Sequence, residues 1–567
     1  MRPNSGAGRR YLALGASGIV ALSLAACGGD DPETPGTGET EGGGTATGEL
    51  VFAGSAEPVV IDGAWVSDGE SIRVIRQIFE GLVTTEAGGT DIQPALATEW
   101  TTTDDGLEWT FSLQDGVTFH DDTPFNAEAV CFNFDRWYNF EGPIAQSASS
   151  SYYYQTVFGG FAENDAAYAE SLGESLYESC EATDDTTAVI TLTRPSSTFL
   201  TALSLPAFSI ASPTALEEFG ADDVGGDGEA PTFDGTYGYE HPTGTGPYAF
   251  TEWERGVRVV LTANADYWGE NQPSVETLIF VAIADGPARR TALETGEIDG
   301  YDLVDPADAT ALEDAGFTLL QRPAFNVGYI GFNSSIPPLD NPDVRKAVAY
   351  AVNKENLLST KYPEGAQVAT QFQPPELFGW SDSVEEYAYD PAMAEQLLAD
   401  SGVANPTIEF WYPTDVSRPY MPDPEGNFEL IKADLEAVGF TVNSQSAPWN
   451  PDYLAANQAG TQQMYLLGWT GDFGDPDNFI GTFFQTQQAQ WGFNEPEIFD
   501  ALDAAEAETD EDTRVGLYAE INQMIMEFVP GVPYVHTQPA IAFRAGIDGY
   551  EPSPVNNEDF ALVTVTE

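Results

Sequence analysis

The sequence predicts a mixed α/β fold with more than one domain, and three observations carry that reading. The chain has 567 residues, enough for two or more separate cores. Runs rich in β-branched and aromatic residues, each bounded by turn formers, recur through its first half. Beyond residue 405 such runs alternate with helical segments in a βαβαβ order, the mark of a largely parallel sheet.

In chain order, "EWTFSL" (108–113), "AVITLT" (188–193), "VRVVLT" (257–262) and "ETLIFVAI" (276–283) read as strands. "NPDVRKAVAYAVNKENLL" (341–358) reads as one helix, with Asn341 as cap, Pro342 in the first turn and Val344, Val348, Ala351 and Leu358 along one apolar face. "DPAMAEQLLADSG" runs from the cap Asp390 through Pro391 to the stop at Gly402. The alternation then begins: strand "TIEFWY" (407–412), helix "NFELIKADLEAVG" (427–439), strand "FTVNSQ" (440–445), helix "PDYLAANQAG" (451–460) and strand "QQMYLLGW" (462–469). In such sheets ligands sit beyond the carboxyl ends of the strands. Right-handed crossovers place the segments "PTDVSRPYMP" (413–422) and "GWTGDFGDPDNF" (468–479) on one edge, so Arg418 and Asp472 are expected to share a cleft.

With 91 acidic residues against 20 basic ones the formal charge is −71, which argues against nucleic acid or an anionic membrane surface as partner. The acids are spread over the whole length, so they read as a solvated surface and say nothing of a ligand. They do make an arginine inside a site conspicuous. The start is different: Arg2, Arg9 and Arg10 precede the apolar "YLALGASGIVALSLAA", which at 16 residues is short for a membrane span of roughly 20. It ends in "LAAC", which resembles a bacterial lipobox and marks Cys27 as a lipidated first residue; "RRYLAL" resembles a twin-arginine export signal, and the export route stays open. Residues 1–26 are thus expected to be a lipoprotein signal peptide. Residues 27–48, rich in Gly, Thr and acid, read as a flexible tether that holds the body outside the cell through the lipid alone. Cys131 and Cys180, the other two cysteines, are expected to pair in an oxidising compartment. There is no Cys-x-x-Cys, and His120, His241 and His536 lie far apart, so neither a metal site nor a cofactor is expected.

The stretch 468–479 holds three carboxylates, Asp472, Asp475 and Asp477, among glycines and rings. Calcium loops of the EF-hand type space their oxygens at i, i+2 and i+4, whereas these acids fall at i, i+3 and i+5 with Pro476 between. Paired carboxylates can serve glycoside hydrolysis, but no Gly-x-Ser-x-Gly or His-Glu-x-x-His motif accompanies them. The bland reading is a glycine-rich turn with solvated acids. The remaining one is amine capture: a carboxylate flanked by aromatics holds an ammonium through a charge-assisted hydrogen bond, Trp469 supplies a ring face, and Arg418 offers a planar fork for a carboxylate at the other end of the ligand.

Across the body, "IFEGLVTTEAGGTDIQPALATEWTTTDDGLEWTFSLQDGVTFHDDTPFNAEAV" (78–130), "PTGTGPYAFTEWERG" (242–256), "ALETGEIDGYD" (292–302), "VGYIGFNSSIPPLDNPDVRKAVAYAVNK" (327–354), "YAYDPAMAEQLLADSG" (387–402), "GWTGDFGDPDNF" and "TRVGLYAEINQMIMEFVPGVPYV" (513–535) follow one another. Together these blocks resemble the extracellular solute-binding proteins of family 5, the peptide-class receptors of ABC importers, and within them the members that bind dipeptides. The resemblance implies a type II periplasmic-binding-protein-like fold with two lobes and two hinge crossings. The first lobe would span 49–282 plus 533–567 with an inserted subdomain at about 84–205, the second 283–532, and the crossings would lie near Val281–Ala284 and Val532–Pro533. It implies that Asp472 holds a peptide's α-amine and Arg418 its carboxylate, with Tyr420, Trp469, Thr470 and Gly471 as pocket neighbours and Ser67 contributed by the first-lobe segment "WVSDGES". It implies a monomeric receptor, not an enzyme, whose partners are a short peptide and the permease subunits of an ABC transporter. Asp68 and the long segment 220–241 depart from the family pattern, as do the cysteine positions. Relatives also carry nickel complexes, glutathione, haem, opines or oligosaccharides, which stay open as cargo, and a secreted hydrolase stands as the remote alternative.

Overall fold

The computed structural model describes residue 46 and residues 48–566, apart from 148–149, 167–168, 170–171 and 227–230 and the side chains of 450 and 451. The signal segment, Cys27 and almost all of the tether therefore lie outside the described residues. Among the described residues no helix is long and apolar enough to cross a membrane.

Two sheets organise the body. The first has seven strands in the order Tyr248–Glu254, Arg258–Ala263, Thr277–Ala282, Glu49–Gly54, Gly300–Tyr301, Ala540–Phe543 and Thr318–Gln321. The second has six, in the order Gln367–Val368, Gly531–His536, Asn326–Phe332, Met464–Thr470, Thr407–Thr414 and Thr441–Pro448. Each sheet buries its own core. Phe52, Phe280, Phe543, Tyr550 and Phe560 form an aromatic group at the first, and Tyr329, Phe372, Phe483, Phe484 and Trp491 one at the second. This is the expected α/β architecture of two lobes.

The chain passes between the sheets at Gln321–Asn326 and returns at His536–Ala540. The crossings expected at Val281–Ala284 and Val532–Pro533 are thereby displaced. After Ala282 the chain stays with the first sheet, because Leu293, Ile298, Tyr301 and Leu312 close a small core with Ala53 and Ala542. Near the C-terminus, the Gly531–His536 strand pairs antiparallel with Asn326–Phe332 and so belongs to the second sheet.

A four-stranded antiparallel sheet, Ala97–Thr102, Glu108–Leu113, Thr187–Leu192 and Tyr177–Asp184, lies within the first lobe's sequence. It packs on helix Ala127–Tyr138, and its buried Phe111 and Ile190 share one continuous core with Phe134, Trp137 and Trp65. Cys131 on that helix and Cys180 on the Tyr177–Asp184 strand are joined by a disulfide with Cα atoms 5.1 Å apart.

The C-terminal alternation forms the parallel part of the second sheet. Thr407–Thr414 lies between Thr441–Pro448 and Met464–Thr470 and runs parallel to both. Helix Pro424–Ala437 covers it, capped by Asp423 and burying Phe428, Ile431 and Leu435 along one face. The segment 341–358 differs from expectation. It forms two helices, Pro342–Ala351 and Lys354–Lys361, instead of one. The break has a cause: Asn353 caps the second helix by accepting from Asn356 N, while its own N–H is taken by the Asp434 carboxylate.

Candidate functional site

The site is built where the strands of the second sheet end. The Met464–Thr470 strand runs antiparallel to Asn326–Phe332, Thr470 opposite Asn326. Gly471 then donates its N–H to Phe325 O at 2.9 Å. A Cβ there would stand 2.2 Å from the Phe325 ring, so only glycine lets the chain turn at this point. The turn that follows crosses to the other lobe: Phe473 is buried in the first core, and a Cβ on Gly474 would meet Thr90.

The three carboxylates of this turn have three different settings. Asp475 accepts Asp477 N at 3.0 Å and takes Arg514 bidentately at 2.8 and 3.0 Å, a buried pair that braces the loop. Asp477 lies beside Glu506 and accepts from Tyr518 Oη at 3.4 Å; burial and the neighbouring negative charges drive its pKa well up. Asp472 forms no ion pair among the described residues. Its N–H donates to Asn478 Oδ1 at 2.7 Å, and the same oxygen accepts Trp469 Nε1 at 3.4 Å, so Asn478 ties the ring to the turn. Asp472 Oδ1 accepts the Tyr153 hydroxyl at 2.8 Å, from helix Tyr152–Phe158 of the first lobe. Burial pushes the Asp472 pKa up to about 6, against the opposing pull of Tyr153, Asn478 and the Arg76 charge.

Arg418 sits in a tight turn whose backbone exchanges two hydrogen bonds with Met421, at 3.1 and 2.9 Å. Its guanidinium carbon stands 4.5 Å from the centroid of the Trp449 ring. Arg418 has no carboxylate partner among the described residues, and its Nε is buried without an acceptor. Tyr420 is buried beneath this turn. A Cβ on Gly468 would stand 2.3 Å from the Tyr420 ring, so glycine is what allows the turn to lie on the strand. The Pro419 carbonyl accepts Thr537 Oγ1 at 2.8 Å, which fastens the turn to the second crossing.

The structure therefore sets Trp469, Thr470, Gly471 and Asp472 in sequence along one strand end, with Arg418 and Tyr420 on the turn after the next strand. Ser67 is exposed, one residue before Asp68, which caps helix Gly69–Ile78 by accepting Ser71 N. Sequence reasoning passed over Tyr153, Arg76, Asn478 and Trp449. Trp449 directly follows the Thr441–Pro448 strand, and the strand-end rule would have found it. Tyr153 and Arg76 belong to the other lobe and carry no sequence signal. Among the described residues no group of three or more His, Cys, Asp or Glu side chains could hold a metal ion.

A model of the bacterial extracellular solute-binding proteins, family 5 (middle region) matches residues 91–491. The chain belongs to this family. The dipeptide-binding protein of Escherichia coli (strain K12) is 32% identical over 502 residues, covering 86% of this chain and 89% of that one. Heme-binding protein A of Haemophilus influenzae is 30% identical over 557 residues, 96% and 97% of the two chains. Among solved structures, the ABC transporter-associated periplasmic binding protein DppA of Helicobacter pylori, in complex with the peptide STSA, superposes with a TM-score of 0.77 at 27% identity, covering 92% of this chain and 99% of that one. A family 5 protein is an extracellular solute-binding protein.

Proposed function

We propose that this family 5 protein is the extracytoplasmic receptor of an ABC importer, held to the membrane by a lipid on Cys27, and that it captures a short peptide, above all a dipeptide, and delivers it to the permease. The carrying observation is the state of two charges. Asp472 has no cation and Arg418 no carboxylate within ion-pair distance among the described residues, whereas the buried Asp62, Asp302 and Asp475 carboxylates each meet an arginine. A zwitterion supplies both missing partners: its ammonium to Asp472, its carboxylate to Arg418. Two extended residues span roughly 7 Å, so the pair acts as a length gauge. The receptor works as a monomer, and its lobes close about the crossings 321–326 and 536–540. The Tyr153 hydroxyl of the first lobe donates to Asp472 of the second, a contact between lobes that favours the closed form.

The test is titration calorimetry with a free dipeptide and with its N-acetylated and C-amidated forms. The free peptide binds and each capped form loses at least roughly tenfold, since a cap leaves one desolvated charge unpaired. Equal binding of all three would remove the two-ended reading. Native mass spectrometry of the protein as purified identifies co-purifying cargo directly. A second reading, haem as cargo, is supported by the resemblance to heme-binding protein A. It requires a stable Soret band on titration with haem that a dipeptide does not displace.

A further inference from the structure

Arg76 differs from the other buried arginines. Arg73, Arg136, Arg322 and Arg514 each meet at least one carboxylate within ion-pair distance. Arg289 and Arg345 donate to backbone carbonyls. Arg76 has no carboxylate partner among the described residues, a trait it shares with Arg289, Arg345 and Arg418. Its Nη1 donates to Asn557 Oδ1 at 2.8 Å and to Ser204 O at 3.4 Å. Asn557 is held in turn by Thr85 Oγ1, 2.7 Å from its Nδ2, so this end of the guanidinium is clamped. The opposite edge is free: neither Nε nor Nη2 makes a hydrogen bond among the described residues, and Nε is shut off from solvent. That Nε–Nη2 edge is the one that takes a carboxylate through two parallel bonds.

The position matters as much as the free edge. Arg76 lies on helix Gly69–Ile78 of the first lobe, whereas Asp472 follows a strand of the second. Its charge acts first on Glu558, whose carboxylate is already paired with Arg322, and then on Tyr153 and Asp472, which are themselves joined across the lobes by a 2.8 Å hydrogen bond. Burial lowers the Arg76 pKa to about 10, as for a desolvated cation without a full counter-charge. A bare ammonium entering beside Arg76 meets repulsion. An amino-terminal residue that carries its own anion next to the ammonium meets a complementary pair.

We infer that Arg76 is a specificity-determining residue that takes the side-chain carboxylate of the peptide's first residue, so that the receptor prefers short peptides beginning with Asp or Glu. The inference rests on the peptide reading above. Its test is calorimetry of the whole protein at neutral pH with Glu-Ala, the isosteric Gln-Ala, and Ala-Ala. The wild type binds Glu-Ala roughly tenfold or more tighter than Gln-Ala, the scale of a charge-assisted hydrogen bond. In Arg76→Gln that ratio falls to about one, and in Arg76→Lys, which keeps the charge but not the fork, it lies between. Equal affinity of the wild type for Glu-Ala and Gln-Ala overturns the inference without any variant having to fold. So does a preference that survives in Arg76→Gln. If all three peptides bind alike, the peptide reading stands and only the role of Arg76 falls; if none binds, both fall.

Discussion

The Tyr153 hydroxyl donates to Asp472 Oδ1 at 2.8 Å and joins residues 319 positions apart in the chain. It links a helix of the first lobe to the strand-end carboxylate of the second, so the group that would hold a ligand's ammonium also senses the position of the opposite lobe. Phe473, the next residue, is buried in the first lobe's core and fixes the same turn there.

Asp472→Ala and Arg418→Ala each weaken binding of a free dipeptide by roughly tenfold or more, because each strands one ligand charge in a closed site. Titration calorimetry on the two variants reads this. Unchanged affinity in both would remove the ionic clamp.

Binding depends on pH through Asp472. The group titrates at 3.8 in its unperturbed state and at about 6 in the folded protein. Between these values the folded protein holds a proton that the unfolded chain has lost. The Asp472 contribution to stability therefore falls as pH rises through this window and levels off above about 6. Ligand capture has the opposite sign, since an ammonium needs the ionised carboxylate. Dipeptide affinity falls by up to about tenfold per pH unit as pH drops below the Asp472 pKa. Calorimetry from neutral to acid pH, in buffers of different ionisation enthalpy, also detects the proton released on binding. Asp472→Asn abolishes that proton release; a wild-type affinity independent of pH across the acid range contradicts the assignment.

Arg514→Ala leaves the Asp475 carboxylate buried without its bidentate partner, their side chains being 7% and 2% exposed. The cost is about 3–5 kcal/mol of stability. Denaturant titration measures it, and a loss well under 1 kcal/mol shows that water or a neighbour replaces the guanidinium. Since Asp475 braces the turn that carries Asp472, ligand affinity falls as well.

The disulfide closes a loop of 49 residues between Cys131 and Cys180. Chain entropy assigns such a loop about 4 kcal/mol, and measured values run about 2–4 kcal/mol. The Cys131→Ala, Cys180→Ala double variant shifts the denaturant midpoint down accordingly while dipeptide binding persists, because the Cys131 helix and the Cys180 strand carry none of the site residues named above. An unshifted midpoint would show that the subdomain core alone holds the two elements.

Elements with local signals were legible in the chain. The strands at 108–113 and 407–414 and the Asp423- and Asp390-capped helices follow from periodicity and capping. The helix break at Val352–Asn353 was not legible. Asn353, which caps the second helix, is a local signal, but the Asp434 carboxylate that takes its N–H lies 81 residues further on. The hinge positions were missed for a similar reason. Strand Gly300–Tyr301 has two residues and owes its place to pairing with Glu49–Gly54 and Ala540–Phe543, not to its own composition.

By itself the sequence determined the α/β class, the parallel run beyond residue 405, and the strand-end placement of Arg418 and Asp472, since each of these depends on neighbours within a few turns of chain. The tertiary structure alone decided which of the three carboxylates in the 468–479 turn keeps its charge unpaired, and which first-lobe groups face it. Those outcomes depend on Arg514, Tyr153 and Arg76, brought in from distant elements. Burial and pairing belong to the packed chain, and only packing could give Asp472, Asp475 and Asp477 three different electrostatic settings within six residues.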